Sequence, residues 1–141
     1  MTCCLAIAVS ACGGGHAVSA QQQVSAVLHS YLRAQAAGDG QAACALLTAS
    51  GQQQLIALVV KEAKGLLSTR PSCQDAVGLI RAVAGAKLLD ALSGAQVEQV
   101  QIHGQQASAI VADGLEFPPQ RVTLQKAGGA WKISGVPGIK A

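Results

Sequence analysis

The reactive inventory of this chain is five cysteines, three histidines, seven carboxylates and one tyrosine, and their spacing decides what chemistry is open to them. His16, His29 and His103 show no H-x-x-x-H spacing, and no C-x-x-C pair is present, so nothing gathers ligands for a tetrahedral metal. The chain has no Gly-x-Ser-x-Gly turn and no phosphate-cradling glycine loop. Asp39 and Asp113 stand in the glycine turns Gly38-Asp39-Gly40 and Asp113-Gly114, where a short carboxylate caps backbone N–H groups. Glu98 is expected to face water or a partner. His29 and Arg33, four apart, share a solvated helix flank, and His103 opens a tight turn at the surface. Acid–base catalysis near neutral pH needs a tuned carboxylate or imidazole, which none of these positions supplies. The expectation is a non-catalytic protein with no metal and no cofactor.

Five is an odd number of cysteines, and Cys3, Cys4 and Cys12 all fall in the apolar leader MTCCLAIAVSAC. Val9-Ser10-Ala11-Cys12 resembles a bacterial lipobox, in which small residues precede a cysteine that takes a diacylglycerol thioether before the leader is removed. The resemblance implies a signal peptide over 1–11, a lipid on Cys12, and an address on the outer face of the bacterial cytoplasmic membrane. Gly13-Gly14-Gly15 and the polar residues through Gln23 suit a flexible tether over 12–23. One acyl chain holds only marginally, so the membrane contact is expected to use two or three. Residues 1–11 hold no Lys or Arg and a short apolar core, Leu5 to Val9, which a translation start upstream of Met1 accounts for. Removing the leader and acylating Cys12 leaves Cys44 and Cys73. In an oxidising compartment these are expected to pair, closing a loop of about 30 residues. Two separate buried thiols are the alternative.

The totals bound the rest. A chain of 141 residues has room for one domain with a real core. Hydrophobic residues at 50% and charged residues at 12% exclude a disordered chain, and no apolar run reaches the roughly 18 residues that span a bilayer. The net charge of +3 comes from Lys and Arg spread singly, which leaves no footprint for nucleic acid.

The elements that would position these residues follow from periodicity. Val24, Val27, Leu28, Tyr31 and Leu32 recur on one helical face, ending at Gly38-Asp39-Gly40. A short helix fits Gln41 to Leu47, and Ser50 is placed to cap a third that carries Leu55, Leu58, Val59 and Leu66. Ser72 and Asp75 form an acidic capping box for a fourth helix with Cys73, Ala76, Val77 and Ile80 on its apolar face; Gly85 loosens or stops it. After Gly94 the period becomes two: Val100 and Ile102, then Ala107, Ala109 and Val111, then Val122 and Leu124, then Trp131 and Ile133. The short turns at His103-Gly104-Gln105-Gln106, Asp113-Gly114 and Gly128-Gly129 favour antiparallel neighbours. The predicted class is α+β, with N-terminal helices packed on a curved antiparallel sheet of about four strands.

Tyr31-Leu32-Arg33-Ala34 running to Gly38-Asp39, then Ala43-Cys44-Ala45-Leu46-Leu47, then Gly129-Ala130-Trp131-Lys132-Ile133 come in an order similar to the nuclear transport factor 2-like superfamily, in particular its small bacterial lipoproteins. The similarity covers Val24 to Val136, taken as one domain over 24–136 with a tail over 137–141. It implies a cone: a curved sheet around a long first helix, with a pocket between them. Tyr31 and Trp131 are its candidate pocket residues, although a core tyrosine bonded to backbone is an equal reading of Tyr31. With aromatics at 2%, the walls would be aliphatic. Isomerase-like members need a carboxylate base and hydroxyl donors to an enolate oxygen. The function expected is a membrane-anchored, non-catalytic domain that binds an apolar small molecule or serves an envelope protein as an accessory. The alternatives are a small isomerase or dehydratase with a buried acid or His, and a purely structural partner of a membrane protein.

Overall fold

Ser19 begins the first helix by a reciprocal cap. Its hydroxyl accepts from the Gln22 N–H at 3.2 Å, and the Gln22 side chain accepts from the Ser19 N–H at 3.0 Å. The computed structural model describes residues 17–112 and 118–136. The leader, Cys12, His16, Asp113 with its Gly114 turn, and the 137–141 tail therefore lie outside the described residues. Helix α1 covers Ala20–Ala37, so residues 20–23, expected in the tether, form its first turn. Val24, Leu28, Tyr31 and Leu32 are buried along it as the periodicity required.

Helix α2, Gly40–Ala45, is capped by Asp39, which accepts from the Ala42 N–H at 3.0 Å. That is the backbone-capping role its glycine turn suggested. Helix α3, Ala49–Glu62, is capped by Thr48 rather than Ser50: the Thr48 hydroxyl accepts from the Gly51 N–H at 3.1 Å. It also stops short of Leu66, because Lys64 and Gly65 turn left-handed at φ 46° and 83°. Helix α4, Cys73–Val83, opens on the Ser72–Asp75 box as predicted. The Ser72 hydroxyl, and then its backbone N–H, hold the Asp75 carboxyl below its ordinary range. A fifth helix, α5, Ala86–Gly94, was not expected; its N-cap is Gly85, which offers no side-chain bond.

Four strands follow: β1 Gln96–His103, β2 Gln106–Ala112, β3 Gln120–Ala127 and β4 Ala130–Gly135. They pair antiparallel in the order β1-β2-β3-β4, a meander. Ala107, Ala109, Val122, Leu124, Trp131 and Ile133 alternate inward and join the α1 residues in one core. In β1 the register slips between Glu98 and Gln101, where Gln99 takes φ 49°. The extra residue lets Val97 and Val100, three apart, both pack on the core, and Glu98 is exposed.

Two devices tie the helices together and to the sheet. Cys44 of α2 and Cys73 of α4 form a disulfide across 29 residues, with their Cα atoms 6.1 Å apart. Gly40 permits the approach, since a Cβ there would meet the Gln74 backbone at 2.8 Å. Leu47, between α2 and α3, bridges Ile133 of β4 in parallel. The Thr48 N–H donates to the Ile133 carbonyl at 2.9 Å, and the Ile133 N–H donates to the Leu46 carbonyl at 2.8 Å.

Candidate functional site: an apolar cavity between the helices and the sheet

The helices do not close completely over the core. They leave a cavity of about 580 Å³, walled by Leu32 of α1, Leu55, Leu58 and Val59 of α3, Leu79, Ile80 and Val83 of α4, and Leu88, Ala91 and Leu92 of α5. Val111 of β2 and Val136 after β4 add to the aliphatic lining from the sheet side. Leu66 and Val83, 88% and 82% exposed, belong to the same wall and so mark its mouth.

Two polar side chains stand deep in this wall. Tyr31 and Gln35, one turn apart on α1, are 3% and 6% exposed, and the Gln35 amide donates to the Tyr31 hydroxyl. That bond uses one N–H and one lone pair. Beyond that bond neither the phenol O–H nor the Gln35 carbonyl oxygen is hydrogen-bonded to a described residue, and both side chains line the cavity. Turning the amide over exchanges the roles within the pair but still leaves it a donor and an acceptor to offer. Burial pushes the Tyr31 phenol above its ordinary range, and the bond from Gln35 acts the other way more weakly.

The phenol supplies a test of this burial. Tyr31 is the only tyrosine in the chain, so near-ultraviolet phenolate absorbance reports it alone. An unfolded chain ionises its tyrosine at about pH 10, while the folded chain keeps the proton. Stability should therefore be intact below pH ~10 and fall as pH rises beyond it. In Tyr31→Phe the fall should be shallower. A native titration with an ordinary midpoint would show that the hydroxyl faces water.

Among the described residues the other titratable group in the wall is Glu62, exposed at the end of α3. No histidine among the described residues lines the cavity. His29 is partly buried on α1, where its carbonyl accepts from Nε of the exposed Arg33 at 3.4 Å, and His103 is exposed beside the β1–β2 turn. The two residues expected in a pocket separate. Tyr31 lines the cavity, whereas Trp131 is buried in the core and is not one of its lining residues. The Trp131 ring lies under Lys126, whose Nζ is 5.7 Å from the ring centroid, and its buried Nε1 has no hydrogen-bond partner among the described residues.

Sequence reasoning missed Gln35 and the α5 wall. Gln35 carried the signal of standing four residues after Tyr31, and Leu88, Leu89 and Leu92 repeat at helical spacing without a capping residue to announce them. A second, more open depression of about 620 Å³ lies beside the disulfide, lined by Gln41, Gln52, Ser72 and Gln74 among others. It is shallower and more polar than the aliphatic cavity, which is the better site.

Among the described residues no group of three or more His, Cys, Asp or Glu is placed to hold a metal, and no helix is long and apolar enough to cross a membrane. Comparison with family models, with curated proteins and with solved structures finds no match.

Proposed function

We propose that this chain is a lipid-anchored, non-catalytic domain on the outer face of the bacterial membrane, whose cavity takes an apolar ligand. The cavity carries the reading. Its 580 Å³ fall within the range of about 300–1,000 Å³ typical of small-molecule sites, and its walls are aliphatic apart from a few polar groups. Such a surface, left to water, forfeits the burial that drives folding, and an apolar occupant restores it. The nuclear transport factor 2-like cone is part of the proposal. Its support is that α1 touches both edge strands, β1 and β4, which in a flat sheet would stand about 14 Å apart. An enzyme of the isomerase sort has less to draw on, because Glu62, the one carboxylate in the wall among the described residues, is exposed.

The exposed Leu66 and Val83 support a second reading, in which the mouth packs on an envelope protein. Native mass spectrometry of the protein purified from its own membranes separates the two. A retained small lipid is the result expected, whereas a protein bound in fixed proportion, with an empty cavity, would replace the ligand reading by the partner reading. For the address, Cys12→Ser should move the protein from the membrane fraction to the soluble fraction. Unchanged sedimentation with membranes would remove the anchor.

A further inference from the structure

We infer that the occupant is a neutral, single-headed amphiphile: an aliphatic body ending in one hydroxyl or carbonyl group, which docks on the Tyr31–Gln35 pair. The inference rests on the cavity being a ligand site, and it adds the chemical class. Size comes first. At about 30 Å³ per water-sized group, the space suits on the order of twenty non-hydrogen atoms, one chain rather than two.

Charge comes second. Among the described residues no Lys, Arg or His lines the cavity, and the one charged side chain in its wall is the anionic Glu62. A carboxylate or phosphate head would enter this wall without a counter-ion, and a buried unpaired charge is among the most costly groups to desolvate. A neutral head has no such cost.

Hydrogen bonding comes third. The pair keeps both a donor and an acceptor, and burial holds the phenol in its protonated form. A hydroxyl satisfies both at once, and a carbonyl satisfies the donor. An alkane would leave both without a partner, so the pair selects for one polar atom at this depth.

The test compares matched heads on one chain length. Hexadecanol and hexadecanoate are titrated against the purified full-length chain, stripped of bound lipid, by displacement of N-phenyl-naphthylamine at a pH where the acid is ionised. The alcohol should bind roughly tenfold or more tightly than the carboxylate. Gln35→Leu, which keeps the side-chain bulk, and Tyr31→Phe should each weaken the alcohol several-fold while barely changing the carboxylate. Trp131 fluorescence checks that each variant is folded, and the wild-type comparison is decisive even if neither folds. Equal affinities, or a preference for the carboxylate, would overturn the neutral-head assignment and leave the cavity a ligand site. Binding of neither would overturn both.

Discussion

Removing the Cys44–Cys73 bond should lower the free energy of unfolding by roughly 3 to 4 kcal/mol, the chain-entropy value for a closed loop of this length. The bond spans 29 residues that include all of α3 and the irregular stretch from Ala63 to Ser72. Both cysteines are buried. Helix α2 has six residues, far below the length at which a helix holds itself, so it depends on the Asp39 cap, on its packing and on this crosslink. Against a typical domain stability of about 5–15 kcal/mol, the loss is a large fraction. Urea unfolding followed by Trp131 fluorescence, comparing the oxidised protein with Cys44→Ala/Cys73→Ala, measures it directly. A difference below about 1 kcal/mol would mean that the unfolded chain is not appreciably restricted by the bond. The effect should reach the cavity, because α4 supplies Leu79, Ile80 and Val83 to its wall. The same double variant should therefore bind an apolar probe more weakly even where it remains folded.

How much of this was legible from the residues depends on whether the governing interaction is local. Ser72 and Asp75 announce the start of α4, and Tyr31 follows the helical stripe into the core, because capping and amphipathic burial are written within a few residues. The inward alternation of Ala107, Ala109, Val122 and Leu124 was equally plain. The Cys44–Cys73 pairing followed from parity once Cys12 was given to the lipid, and the bond is present. What escaped was decided at a distance. Thr48 rather than Ser50 caps α3 because its N–H is already held by Ile133, some 85 residues away in sequence and invisible in the local pattern. Trp131 lies in the core with Leu124 and Ile133 and does not line the cavity, whose far wall is α5, a helix with no cap to signal it. Within the cavity the aliphatic walls could be anticipated from composition, while the pairing of Gln35 with Tyr31 needed the helix register in three dimensions.

The contact between Thr48 and Ile133 leads to the second large effect, at a residue with no side chain. Gly51→Ala should destabilise the protein by on the order of 2 to 3 kcal/mol, although the exchange ordinarily favours a helix by about 1 kcal/mol. The added Cβ would stand 2.5 Å from the Ile133 carbonyl oxygen, closer than any real contact of this kind, and the obstacle is backbone, which cannot rotate away. That same oxygen accepts from the Thr48 N–H, and Thr48 caps the helix that begins beside it. Relief would require α3 to lift from β4, weakening the Leu47–Ile133 bridge and shifting Leu55, Leu58 and Val59 in the cavity wall. Gly78 provides the matched control. It lies within α4, and a Cβ there would meet nothing within 4 Å, so Gly78→Ala should raise stability by up to about 1 kcal/mol. Opposite signs for one chemical change at two helical glycines are the expected result in urea unfolding. Two changes of the same sign would mean that α3 is not seated against the Ile133 carbonyl, and the pinning of the helices to the sheet would have to be sought elsewhere.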